Sequence, residues 1–156
     1  MTRFVNPAEV EKYTGLHVDV LRDWRRRKIL TIGTLQENGR WAYSVGDVAQ
    51  IAIANLLHKL RVVRDFTDAF DVAALAVVYV HAELVNDAWS KGRLEGVHLI
   101  GFFAIKEGER LQVQPLRSVE DIRGFRTPGF GVIDTHVIAA HLHDQLSGLF
   151  DHVSEG

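Results

Sequence analysis

Apolar positions along the chain change period several times, and each change marks an element. Val10, Tyr13 and, beyond a glycine, Leu16 recur at the spacing of one helix face. Asn6-Pro7-Ala8-Glu9 stands before them. Asn6 suits a cap, Pro7 the first helical position, and Glu9 the returning carboxylate of a capping box. Gly15 is placed to end this helix with a positive φ. A second helix is predicted from about His17 to Lys28, with Val18, Leu21 and Trp24 turned inward. Arg22 and Arg26 lie away from that stripe, and Arg25 sits nearer its edge. From Ile29 to Tyr43 the helical period stops, because Thr31, Ile32 and Thr34 are β-branched and Gly33 interrupts them. Asn38-Gly39 is the strongest short hairpin signal in the chain, with Leu35 and Trp41 as strand residues on either side. Its tip carries Asn38, Gly39 and Arg40.

Ser44 reads as the next cap, with Asp47 three residues on. Val45, Val48, Ile51, Ala52, Leu56 and Leu60 then form a helical stripe, and Val62, Val63 and Phe66 continue apolar. Thr67 is the expected cap of a mostly apolar, alanine-rich helix from Ala69 to Trp89, ended by Lys91-Gly92. Val97 to Ile105 and Leu111 to Leu116 read as strands about a turn at Glu107-Gly108-Glu109. Ser118 to Ile122 reads as one helical turn and Phe125 to Gly131 as loop. Asp134 caps a last helix running to about His152, in which Ala139, Leu142, Leu146, Leu149 and Val153 form a seam expected to face a partner. The whole is α+β: residues 1–64 make a helix-turn-helix with a hairpin wing, and residues 65–156 a smaller helix-and-strand domain for dimerisation or effector sensing.

Charge sharpens that division. The 156-residue chain has a formal net charge of -2. Residues 1–64 nevertheless carry about +5, which leaves about −7 on the rest. Only the front part is therefore suited to a polyanion. The absence of cysteine removes disulfides, thiolate metal sites and a cysteine nucleophile. Arg3, Asn6, Pro7 and Glu9 interrupt any signal pattern at the start, and the apolar run from Val72 to Val80 is too short for a bilayer. A cytoplasmic protein without a membrane partner is expected.

The densest chemistry is the cationic cluster Arg22, Arg25, Arg26, Arg27 and Lys28. By itself a basic helix end is better explained by solvation and the C-terminal dipole. A glycine turn before it and a wing after it move the reading to contact with a phosphate backbone. Trp24 shares the spacing of Leu21 and Val18 and belongs to the core. Among the eight histidines, His136, His141 and His143 are closest, but their separations do not match a helical zinc site. His81 is expected to be a packed core or interface residue. Asp68, Asp71, Glu83 and Asp87 fit a polar helix edge as well as an acid cluster. Gly124 to Gly131 lacks the lysine and the strand-to-helix context of a phosphate cradle, and no nucleophile elbow is present. No enzyme activity, cofactor or metal is expected.

Phe4 to Leu60 resembles the winged helix-turn-helix domain of the MerR family of transcription regulators. The blocks are Thr14-Gly15, Leu21-Arg22-Asp23-Trp24, Ile29-Leu30, Asn38-Gly39-Arg40 and Tyr43-Ser44-Val45-Gly46-Asp47-Val48, in order and at about the family's distances. Two positions depart from the pattern. Lys28 stands where a glycine is usual before the apolar pair, and Trp41 replaces the arginine usual two places before the wing tyrosine, with Arg40 one position earlier. The resemblance implies that the second helix enters a major groove. His17, Val18 and Asp19 would lie at its groove-facing start, with Arg22 as main contact and Arg40 and Tyr43 as wing contacts. Arg25, Arg26 and Lys28 complete the expected DNA-binding set.

The reading is a sequence-specific DNA-binding transcription regulator acting as a homodimer on double-stranded DNA, with a small-molecule or protein effector at the rear domain. The alternatives are a phage-type DNA-packaging or excisionase-like DNA-binding protein, and an antitoxin-like protein-interaction adaptor.

Overall fold

The computed structural model describes residues 3–86, 98–104, 106–127 and 129–150. A strand β1 (Phe4–Val5) leads into helix α1 (Pro7–Thr14), whose capping box closes as its sequence requires: the Asn6 side chain accepts from the Glu9 amide and the Glu9 carboxylate from the Asn6 amide. Helix α2 (Val18–Arg26) follows the turn, and then strands β2 (Thr34–Leu35) and β3 (Trp41–Ser44) form the wing. The strand order is β1-β3-β2, all antiparallel, with Val5 opposite Tyr43 and Leu35 opposite Trp41. β1 was not anticipated, because two residues carry no periodicity.

Ser44 and Asp47 form a second capping box at the start of α3 (Val45–Lys59). This helix is buried on more sides than its stripe suggested. Ala49, Ile53, Ala54 and Leu57 join Val45, Val48, Ile51 and Ala52 inside, because α1, α4 (Phe66–Asn86) and α5 (Thr135–Phe150) all pack on α3. Leu60, expected on the stripe, lies past the helix end and is exposed. Helix α4 begins earlier than its sequence suggested. Asp65, not Thr67, is the cap, its carboxylate accepting from the Asp68 amide at 2.9 Å. The start is shifted because Phe66 is held at the first turn by Trp24 and His58, with ring centroids 4.2 and 3.8 Å away. The expected end of this helix, Trp89 to Gly92, lies outside the described residues.

The rear sheet has order β5-β4-β6, formed by β4 (Leu99–Phe103), β5 (Gln112–Leu116) and β6 (Gly131–Asp134). The strand β6 begins in residues read as loop and ends on Asp134, which also caps α5 as expected, its carboxylate accepting from the His136 amide at 2.9 Å and the Val137 amide at 3.2 Å. Only Val132 and Ile133 are apolar there, too few for a pattern, and the strand exists because β4 supplies its partner from Leu99–Asp134 to Phe102–Gly131. Ile100, Phe102 and Ile133 turn one face toward the helices. On the other face Phe125, from a 3-10 helix (Val119–Phe125), lies over Gly101. A β-carbon at Gly101 would meet Phe125 Cζ at 2.5 Å, so only glycine admits this ring.

Among the described residues an apolar core runs from Val5 and Val10 through Trp24, Ile51 and Val80 to Leu142 and Leu149. The seam expected to face a partner is part of it. Ala139, Leu142, Leu146 and Leu149 are buried within the chain itself, because α4, α3 and α1 cover them. Val153 and His152 lie outside the described residues. Polar contacts also tie α5 to the front: Gln145 Nε2 donates to the Tyr13 carbonyl at 2.6 Å, and Arg3 Nη1 to the Gly148 carbonyl at 3.3 Å. Among the described residues no helix is long and apolar enough to cross a membrane.

Candidate nucleic-acid interface

The turn between α1 and α2 is built by two residues. Gly15 takes φ 71° and donates its amide to the Glu11 carbonyl at 2.8 Å, ending α1. Thr14, though buried, is satisfied: its hydroxyl donates to the Val10 carbonyl at 2.7 Å and accepts from the Leu16 amide at 3.3 Å. His17 then caps α2, its Nδ1 accepting from the Asp19 amide at 3.1 Å. The exposed first turn of α2 therefore presents His17 and Asp19, with Val18 half-buried beside them.

Helix α2 separates its faces sharply. Leu21 and Trp24 are buried, and Trp24 meets Phe66 and Phe70. Arg22, Arg26, Arg27 and Lys28 are exposed. Arg22 pairs with Asp19 at 2.9 Å and Arg26 with Asp23 at 2.6 Å. The hydrogen bond from Arg26, foremost, and that from Arg27 hold the Asp23 carboxyl below its ordinary value. Such exposed pairs are screened by water and exchange readily for another anion. Lys28 and Arg40 have no hydrogen-bond or ion-pair partner for their charged groups among the described residues.

The predicted helix end at Lys28 is reached earlier. Arg27 is the C-cap and Lys28 lies outside the helix at φ 59°. The Lys28 amide donates to the Arg25 carbonyl at 3.0 Å and the Ile29 amide to the Trp24 carbonyl at 2.8 Å. These two bonds make a Schellman motif, whose left-handed residue is usually glycine. The position where the family pattern has glycine is thus a left-handed one, occupied here by lysine.

In the wing, Gly39 at φ 75° closes the hairpin, with its amide on the Gln36 carbonyl at 2.9 Å and the Asn38 side chain accepting from the Arg40 amide at 3.0 Å. Arg40 is carried at the exposed tip. Two expected contact residues are drawn inward, although both still line the cleft between α2 and the wing. Tyr43 is only 2% exposed, packed beneath the wing. Arg25 is half-buried, its guanidinium 3.4 Å from the Trp41 ring centroid, and its Nη2 donates to the Ile32 carbonyl and to the Tyr43 hydroxyl. Sequence patterns carry no sign of this Trp41 platform, because a cation over a ring has no fixed spacing along the chain.

Between the start of α1, the face of α2 and the wing lies an open cleft of about 600 Å³, lined by Asn6, Ala8, Val18, Arg22, Arg40 and Trp41 among others. Asn6, Pro7 and Ala8 were not foreseen in it; they arrive because β1 pairs with the inner wing strand. The other candidate groups resolve into pairs. His136 Nδ1 lies 2.9 Å from Glu83 Oε2, joining α5 to α4, and Arg110 holds Asp71 through its Nε at 3.0 Å. Asp68 is raised above the ordinary carboxylate value, first by burial and then by Asp65 and Asp71. Asp87 lies outside the described residues. His141 is exposed, and no group of three or more metal-ligating side chains gathers among the described residues.

No curated protein matches the chain. The family model for MerR HTH family regulatory proteins matches residues 6–66, which spans α1 to the first residue of α4, including the cleft and both its walls. Residues 6–66 are therefore a MerR-type helix-turn-helix segment.

Proposed function

We propose that the chain is a sequence-specific regulator that binds double-stranded DNA as a homodimer, with α2 in the major groove and the wing along the flanking backbone. The observation that carries this reading is the cleft between α2 and the wing, with Arg22 on one wall and Arg40 on the other. Arg22, Arg26, Lys28 and Arg40 neutralise phosphates and supply most of the affinity. His17, Val18 and Asp19, at the open first turn of α2, meet base edges and supply discrimination. One winged domain offers few contacts, and a second copy on a second half-site raises the effective affinity, which is the ground for a dimer. Residues 65–156 carry the acidic balance, stay off the polyanion, and serve dimerisation or an effector.

Duplex selection from a random library, followed by anisotropy titration over a salt series, tests the proposal. The wild-type chain retains a defined sequence. Arg22→Ala lowers the slope of log affinity against log salt by about 0.9, the loss of one phosphate contact. A chain that ignores duplex DNA at low ionic strength would falsify the proposal.

A further inference from the structure

We infer that Arg25 is a positioning residue that sets the wing against α2, and that it does not itself neutralise a phosphate. The inference rests on the DNA-binding reading above and deepens it. Of the basic residues on α2, Arg25 is the one drawn inward. Its guanidinium carbon lies over the Trp41 ring, while Nη2 donates to the Ile32 carbonyl in the link after α2 and to the Tyr43 hydroxyl. Trp41 and Tyr43 are alternate residues of β3 and share one face of that strand. One side chain of α2 therefore grips the link and the inner wing strand together.

The surroundings fit that grip, and Arg25 lines the cleft together with Trp41 and Tyr43. Gly33, at φ 99°, sits where a β-carbon would be 2.9 Å from Tyr43 Cε1 and 3.1 Å from Arg25 Nη2, so the link is shaped around the guanidinium. Swinging Arg25 out to a phosphate would strip the buried Tyr43 hydroxyl of its donor and uncover the Trp41 ring. Meanwhile β2 is two exposed residues long and is held by β3 alone, so the tip bearing Arg40 follows wherever β3 is set. The distance from Arg40 to Arg22, one helical turn before Arg25, thus depends on the clamp. Lysine cannot replace it: an ammonium can donate to both acceptors, as the single Nη2 does here, but it has no flat guanidinium to lie over the Trp41 ring. Trp41 takes the place of the wing arginine of the family pattern, so here an aromatic ring holds the wing internally and the free cation moves to Arg40.

The test compares Arg25→Lys, Arg25→Ala and Trp41→Ala with Arg22→Ala in the full chain. Salt-series anisotropy uses the duplex retained by the wild type, and tryptophan emission is recorded without DNA. Arg25→Lys keeps the charge yet is expected to lose at least about tenfold in affinity with an unchanged salt slope, and Trp41→Ala to behave alike. Combining the two should add little, since both break one contact. Arg25→Lys should also shift tryptophan emission in the free protein, a change abolished in a Trp41→Phe background. Full affinity in Arg25→Lys, together with a slope lowered by about 0.9 in Arg25→Ala, would overturn the inference and make Arg25 a phosphate contact. If the wild type ignores duplex DNA, the DNA reading fails alone; the emission arm then decides the clamp, and an unshifted spectrum overturns it.

Discussion

Lys28 occupies left-handed backbone at φ 59°, where α2 turns into the wing. Replacing it with glycine separates two roles that the wild-type residue combines. Left-handed backbone costs an L-residue about 1–2 kcal/mol, because Cβ crowds the following carbonyl. Glycine escapes that crowding but loses about 0.5–1 kcal/mol through the larger freedom of its unfolded chain. Both Schellman hydrogen bonds come from backbone amides and survive the change. Lys28→Gly should therefore stabilise the fold by about 0.5–1 kcal/mol, a rise in Tm of about 1–4 °C for a chain of this length. Lys28→Gln is the control: it keeps Cβ, and with it the crowding, but removes the charge. Its melting temperature should stay near that of the wild type. In duplex titrations both variants should lose about 0.9 from the salt slope, since both remove the same cation. A Lys28→Gly chain less stable than the wild type, or a Lys28→Gln chain that gains as much as Lys28→Gly, refutes the reasoning.

Two further outcomes bear on the rear part. Gly101→Ala places a methyl group 2.5 Å from Phe125 Cζ and 3.1 Å from Leu116 Cδ1, so urea unfolding should show a loss of about 1–3 kcal/mol, partly recovered by Phe125→Leu; equal stability would mean that the ring does not sit over the strand. His81, packed 5.2 Å from Phe150 between ring centroids, has its pKa pushed down by burial. The native state then binds that proton less readily than the unfolded chain, so the penalty is absent above the unfolded value of about 6.5 and grows as pH falls through it toward the native value. Tm should fall from pH 7.5 to 5.5 more steeply in the wild type than in His81→Gln, and parallel curves would remove His81 from the account.

Local chemistry made the front part legible without coordinates. Asn6, Glu9, Ser44 and Asp47 form their capping boxes, Gly15 turns left-handed, and Asn38-Gly39 makes the hairpin, because each depends on hydrogen bonds within a few residues. The same reading missed β1 and β6, which are too short to show a period and exist through their partners β3 and β4. It sent the α5 seam outward because periodicity reports which positions are apolar, and says nothing of whether the surface that covers them belongs to the same chain.

The cationic cluster, its glycine turn and its wing were thus decided by neighbours in sequence. Which cations remain outside was decided by packing. Periodicity put Arg25 only nearer the edge of the apolar stripe than Arg22; Trp41, Tyr43 and Ile32 converge on it from residues far enough away that only the folded wing brings them there. A short-range hydrogen bond leaves its mark in the order of residues; a ring stacked on a guanidinium across two elements is specified by shape, and shape is settled when the chain closes on itself.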